Sequence, residues 1–244
     1  MSRYQAFAIH FGISFLIFLG LAAVILTWWY PGIFFDIDGG WEGIRMIALV
    51  DLVLGPILTL MVYRHGKPGL KMDLTLIGLF QMICLSSGIW IVHNERPLAM
   101  VMVDNTFFSM SADDYLREGV TPPDLSRFSD RGPKWVTVDV PDDVYKSSDF
   151  RRAAMDAQRS LRTYEDHYIP FDPRQLDIKR GVPLEELELL DRETGGIPEW
   201  LAEHGGKMED YVFFQVGGRY SFVHLGYEKS SMNLRGILNT PAPR

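Results

Sequence analysis

One carboxylate lies where a carboxylate is expensive to keep. Asp51 is the only charged side chain in the run 46–63, and an ionisable group inside such an apolar segment is by default a candidate for function, because hydrocarbon supplies no water to hydrogen-bond it. Its chemistry would be that of a polar anchor for another group within the apolar layer. On a helix Ala48, Asp51, Gly55 and Thr59 fall three and four residues apart, which makes one narrow stripe of small or polar residues on a bulky helix. Pro56 removes a backbone donor and is expected to kink the helix, freeing a carbonyl near Leu52. A second stripe, Gly78, Gln81, Leu85 and Gly88, runs along the apolar segment 74–93. A third, Gly20, Ala23 and Thr27, lies in the segment 6–30, with His10 nearer its start. Two arrangements follow from these stripes. They satisfy one another inside a bundle, with Gln81 or a water on Asp51, or one stays open to a foreign transmembrane helix, so that Ala48, Asp51, Gly55, Pro56, Thr59 and Gln81 form a partner-binding surface. Proton or ion passage would need a second carboxylate or a basic relay, and the apolar runs hold neither.

Other chemistry is thinly represented. There is no G-x-S-x-G elbow, H-E-x-x-H pair, phosphate-binding loop or dinucleotide fingerprint. The six histidines are scattered, and pairs such as Asp166 with His167 or Glu203 with His204 are adjacent, so they point apart on a helix or strand. Asp36, Asp38 and Gly39 resemble the start of a calcium loop, but Trp41 and the lack of a distal glutamate argue against one. The single cysteine, Cys84, excludes an intrachain disulfide and a cysteine zinc site. The expectation is a protein without catalytic residues, metal or cofactor.

The elements that must position Asp51 are three membrane spans, about 6–30, 45–63 and 74–93, each close to the roughly 20 apolar residues that cross a bilayer. Trp28, Trp29, Tyr30 and Pro31 read as an interfacial belt that closes the first span. They also occupy the place where a signal peptide would carry small residues for cleavage. Spans two and three form a hairpin around Arg64 to Gly69. Apolar residues all round each run argue against buried helices of a soluble bundle. Arg3, Arg64, Lys67 and Lys71 at one set of helix ends, against Asp36, Asp38 and Glu42 at the other, place the N-terminus inside, with Arg45 as the contrary charge. Residues after His93 would then emerge on the far side, the periplasm of a bacterium.

The mean hydropathy near zero conceals two unlike parts. Residues 1–96 hold six of the 24 basic and six of the 31 acidic residues, so the net charge of −7 belongs to residues 97–244. That stretch is long enough for its own core, and its acidity disfavours nucleic acid or an anionic membrane surface as partner. The runs 98–103 and 135–140 read as strands, and 149–164 reads as an amphipathic helix with Phe150, Ala153, Ala157 and Leu161 on one face. A connector carries Pro122, Pro123 and Pro133, a short helix spans 183–192, and Gly195 with Gly196 stop it. The run 211–225 is expected to be a hairpin turning at Gly217 and Gly218. The fold class is thus a three-helix N-terminal transmembrane bundle (1–96) followed by a small α+β soluble domain (97–244).

The three-span layout, the segment Val50, Asp51, Leu52, Val53, Leu54, Gly55, Pro56 and the following Leu58 and Thr59 resemble the TfpX/TfpZ family of type IV pilin accessory proteins. Met1, Ser2, Arg3, Ala6, Phe7, Ile9 and His10 at the start, Tyr30 with Pro31, Lys71 with Asp73, and Arg96 with Pro97 add to the resemblance, which covers about residues 1–105. It implies a non-enzymatic, chaperone-like inner-membrane factor for type IV pilin stability, delivery or pilus assembly. The implied partners are the major pilin, through its transmembrane helix and head domain, and the pilus assembly machinery. The competing expectation is a membrane-anchored periplasmic protein that binds a ligand or regulates, although its short cytoplasmic segments leave no output domain.

Overall fold

The computed structural model describes residues 1–128, 132–191 and 195–239. It divides the chain into two compact units, one of residues 1–35 and 39–96, the other of residues 36–38 and 97–244.

The first unit contains three helices long and apolar enough to cross a membrane, Arg3–Trp29, Gly40–Val62 and Leu70–Asn94. Span one begins on a capping box, in which Ser2 Oγ accepts from the Gln5 amide at 3.2 Å and the Ser2 amide donates to Gln5 Oε1 at 2.8 Å. Span two starts at Gly40, ahead of the apolar run, because Gly39 takes the left-handed conformation (φ 94°) that opens the helix there. The irregularity expected at Pro56 takes the form of a π-helical segment, Leu49–Leu54, closed by the Gly55 amide donating to Val50 O. Pro56 has no amide hydrogen and its ring crowds the carbonyl one turn back, so a widened turn accommodates it.

Tyr30, expected in an interfacial belt, is instead buried, and its hydroxyl donates to Val92 O at 2.8 Å, pinning the end of span one to span three. Trp28 stays exposed. The stripe expected on span one also falls elsewhere: Gly20, Ala23 and Thr27 are exposed, and the inward row is Ala6, His10, Ser14 and Ile25. A polar row at four-residue spacing can hydrogen-bond across the bundle, whereas small residues alone have nothing there to satisfy.

The second unit is built on a seven-stranded mixed sheet in the order β4-β3-β1-β2-β5-β6-β7, with helices beside it, an α+β arrangement. Its strands are β1 (Pro97–Val103), β2 (Thr106–Ser111), β3 (Lys134–Val138), β4 (Tyr168–Pro170), β5 (Tyr211–Gly217), β6 (Phe222–Glu228) and β7 (Leu234–Asn239). β1 lies between β2 and β3 and is buried along nearly its whole length, as its unbroken apolar run requires. One core gathers Val101, Met110, Tyr115 and Val136; another gathers Leu187, Ile197, Trp200 and Phe213.

Three local expectations are corrected. The helix read over 149–164 runs instead over Val144–Asp156, started by Asp143 accepting from the Tyr145 and Lys146 amides and ended before Gln158, which is left-handed. Its buried residue is Ala154, and Ala153 is exposed. Gly195 does not simply stop the preceding helix, Leu184–Asp191: with φ 67° it opens the next, Gly196–His204, while Asp191 Oδ1 caps the Ile197 amide at 2.9 Å. Arg192 lies outside the described residues. The hairpin of β5 and β6 turns over residues 218–221, not 217–218, closed by the Gly218 amide on Ser221 O at 3.0 Å. Gly218 serves a close approach, since a Cβ there would meet the Ile37 carbonyl at 2.6 Å.

Candidate functional site

The polar residues of the first unit converge. Asp51, 2 % exposed, receives the Ser14 hydroxyl on Oδ1 at 3.1 Å, and Gln81 Nε2 donates to the same oxygen. The Gln81 amide also reaches Ser14 Oγ at 3.2 Å and the Asp51 carbonyl at 3.3 Å. Its other end, Oε1, faces His10 Nε2 at 2.8 Å, and His10 Nδ1 meets Thr59 Oγ1 at 2.6 Å. A carboxamide oxygen only accepts, so His10 Nε2 carries the hydrogen in that contact. The donors thus run in one direction, from His10 to Gln81 to Asp51. Two residues from span one, His10 and Ser14, and two from span two, Asp51 and Thr59, are joined through Gln81 of span three into a single network across all three helices.

One atom is left out. Asp51 Oδ2 is buried and has no hydrogen-bond partner among the described residues. In hydrocarbon such an oxygen is costly. Asp51 contributes to the lining of a groove of about 160 Å³ between spans one and three. Its rim residues Ile13, Ile17 and Met82 are exposed by 56 %, 42 % and 64 %, so the groove opens on the lipid-facing side of the bundle.

In the second unit a different carboxylate is buried. Asp38, from the segment between spans one and two, accepts from Ser109 Oγ at 2.6 Å and from the Arg219 amide at 3.1 Å. The Tyr220 amide donates to Ile37 O at 2.9 Å, so residues 36–38 are held along the turn between β5 and β6. Burial pushes the Asp38 carboxyl up to about 6, against the Ser109 and Arg219 hydrogen bonds that favour its charged form. Asp38 is therefore engaged in packing the second unit, not in the start of a calcium loop. Among the described residues no three metal-ligating side chains cluster.

The chain is similar to two curated proteins of Dichelobacter nodosus. It is 32% identical over 111 residues to the fimbrial assembly protein of serogroup E1, over 44% of this chain and 43% of that protein. It is 30% identical over 111 residues to the fimbrial assembly protein of serogroups C1 and C2, over 44% of this chain and 84% of that protein. The chain belongs to the fimbrial assembly protein family. It spans less than half the length of the serogroup E1 relative. No family model matches the chain, and no solved structure does.

Of the six residues read as a partner-binding stripe, most face the interior of the bundle. Asp51, Gly55, Pro56, Thr59 and Gln81 are buried inside the bundle, and Ala48 is half-buried. Gly55 makes room for the Gln81 amide, since a Cβ at position 55 would come within 2.6 Å of Gln81 Nε2. The reading from sequence missed Ser14, which follows His10 by four residues on the same face. That polar pair in an otherwise apolar helix was the available signal.

Proposed function

We propose that the protein is a non-enzymatic membrane factor for type IV pilus biogenesis, of the TfpX/TfpZ type, acting on the pilin before assembly. The observation that carries this reading is the kinship with fimbrial assembly proteins over 111 residues. The fold is compatible with it. Three spans leave most of their surface to lipid and to neighbouring helices, and Asp51, whose Oδ2 has no hydrogen-bond partner among the described residues, contributes to the lining of a groove of side-chain size. The N-terminus is cytoplasmic, and the α+β domain is periplasmic, where it meets the pilin head while the spans meet the pilin helix, a chaperone-like division of labour at the inner membrane.

A ligand-binding reading has one observation in its favour, a polar cleft of about 500 Å³ beside His204, Asp210 and Arg235. Its two cations are already engaged, Arg235 with Glu228 at 2.7 Å and Lys229 Nζ donating to the Glu209 carbonyl at 2.8 Å. The test is deletion of the chain in a piliated bacterium that encodes it, with pilin abundance and processing measured by immunoblot. The pilus reading expects pilin to fall in amount or to remain unassembled. Normal pilin in amount, processing and assembly contradicts it.

A further inference from the structure

We propose that the groove between spans one and three receives a single hydrogen-bond-donating side chain from the transmembrane helix of the fimbrial subunit, and that Asp51 Oδ2 is its acceptor. The occupant's identity rests on the pilus reading above; the polarity of the site does not.

Four observations converge on it. The free oxygen belongs to a side chain 2 % exposed, while the other carboxyl oxygen already holds two donors. The hydrogen-bond order from His10 through Gln81 directs every donor of the network toward Asp51, so the carboxyl is arranged to accept, and an incoming acceptor would find no hydrogen. The volume, about 160 Å³, is close to the roughly 150 Å³ that accommodates a benzene-sized group, enough for one side chain and not for a helix. Finally, a helix backbone has somewhere to rest. A Cβ at Gly78 would have nothing within 4 Å, so a partner can approach span three closely there, with Ile13, Ile17 and Met82 as flanking apolar contacts. The stripe Ala48, Gly55 and Thr59 on span two, by contrast, is taken up inside the bundle.

The experiment places the photocrosslinking residue p-benzoylphenylalanine singly at Ile13, Ile17 and Met82 of the full chain in piliated cells, with adducts identified by anti-pilin immunoblot and peptide mapping. The expected result is an adduct to the pilin transmembrane helix from at least one rim position. Asp51→Asn should lower its yield about tenfold, because the amide oxygen keeps the Ser14 and Gln81 donors while its NH₂ takes the place of Oδ2, so donor meets donor. If Asp51→Asn does not accumulate, Ile17→Trp serves instead: it fills the groove mouth, leaves the network intact, and should abolish the adduct from Met82. A pilin adduct indifferent to whichever variant accumulates, an adduct between two copies of this chain, or pilin captured only away from the rim overturns the proposal. Normal pili after deletion of the chain overturn the pilus reading instead, whatever the rim captures.

Discussion

Gln81 occupies the space that any side chain at position 55 would fill: a Cβ on Gly55 would come within 2.6 Å of the Gln81 Nε2 that donates to Asp51. The absence of a side chain on span two is thus what lets span three reach the carboxyl, and the polar centre of the bundle depends on one glycine.

Gly55→Ala should therefore displace the amide and destabilise the bundle by about 1–3 kcal/mol, the usual cost of overpacking. Gly20→Ala, where a Cβ meets nothing within 4 Å, should stay within about 0.5 kcal/mol. Thermal unfolding of the detergent-purified full chain compares them, and equal melting temperatures would show that the close approach is not tight.

Gln81→Leu keeps the apolar volume but removes the donor from Asp51 and the acceptor from His10. Leaving buried groups unmet costs about 1–3 kcal/mol. The melting temperature should fall as it does for Gly55→Ala, and the double variant should fall by less than the two drops combined, since both changes break the same contact.

Two buried groups of the second unit should oppose each other in pH. Asp38 is raised to about 6 by burial, so its folded form holds a proton that the unfolded form releases near 4. Its contribution to stability is complete below about pH 4 and is lost as pH rises through 6. Burial lowers His224 to about 4, so its contribution is complete above about pH 6.5 and is lost as pH falls through 4. Each swing is on the order of 3 kcal/mol. Relative to the parent, Asp38→Asn should gain stability from pH 4 to 6, and His224→Asn should lose it. Unfolding of the parent and variants across pH 4–7 reads the two differences, and variant curves parallel to the parent would show that neither group titrates in that window.

Gly218→Ala should disturb the contact of Ile37 with the turn between β5 and β6, where a Cβ would lie 2.6 Å from the Ile37 carbonyl. A backbone atom yields less readily than a side chain, so a loss of about 1–3 kcal/mol is expected. Faster proteolytic cleavage of the segment 36–38 in the variant would confirm it, and unchanged cleavage would show that the turn adjusts without cost.

The apolar spans and the general position of Asp51 were legible because long apolar runs carry their own signal. The inward face of span one was not, since small residues and polar residues offered two phases for one helix and only the cross-bundle hydrogen bonds of His10 and Ser14 choose between them. In the second unit, β2 was hidden by Asp104 and Asn105. They read as a strand end, yet with φ of 52° and 67° they form the two-residue turn that pairs Val103 with Thr106. The attachment of Asp38 to Ser109 and Arg219 joins positions far apart in the chain, and no local pattern announces it.

The most direct measurement is the number of surface pili per cell, counted by electron microscopy in a strain that lacks the chain and in the same strain with the chain restored. A role in pilus biogenesis predicts few or no pili without the chain and recovery when it returns; equal counts in the two strains would contradict it.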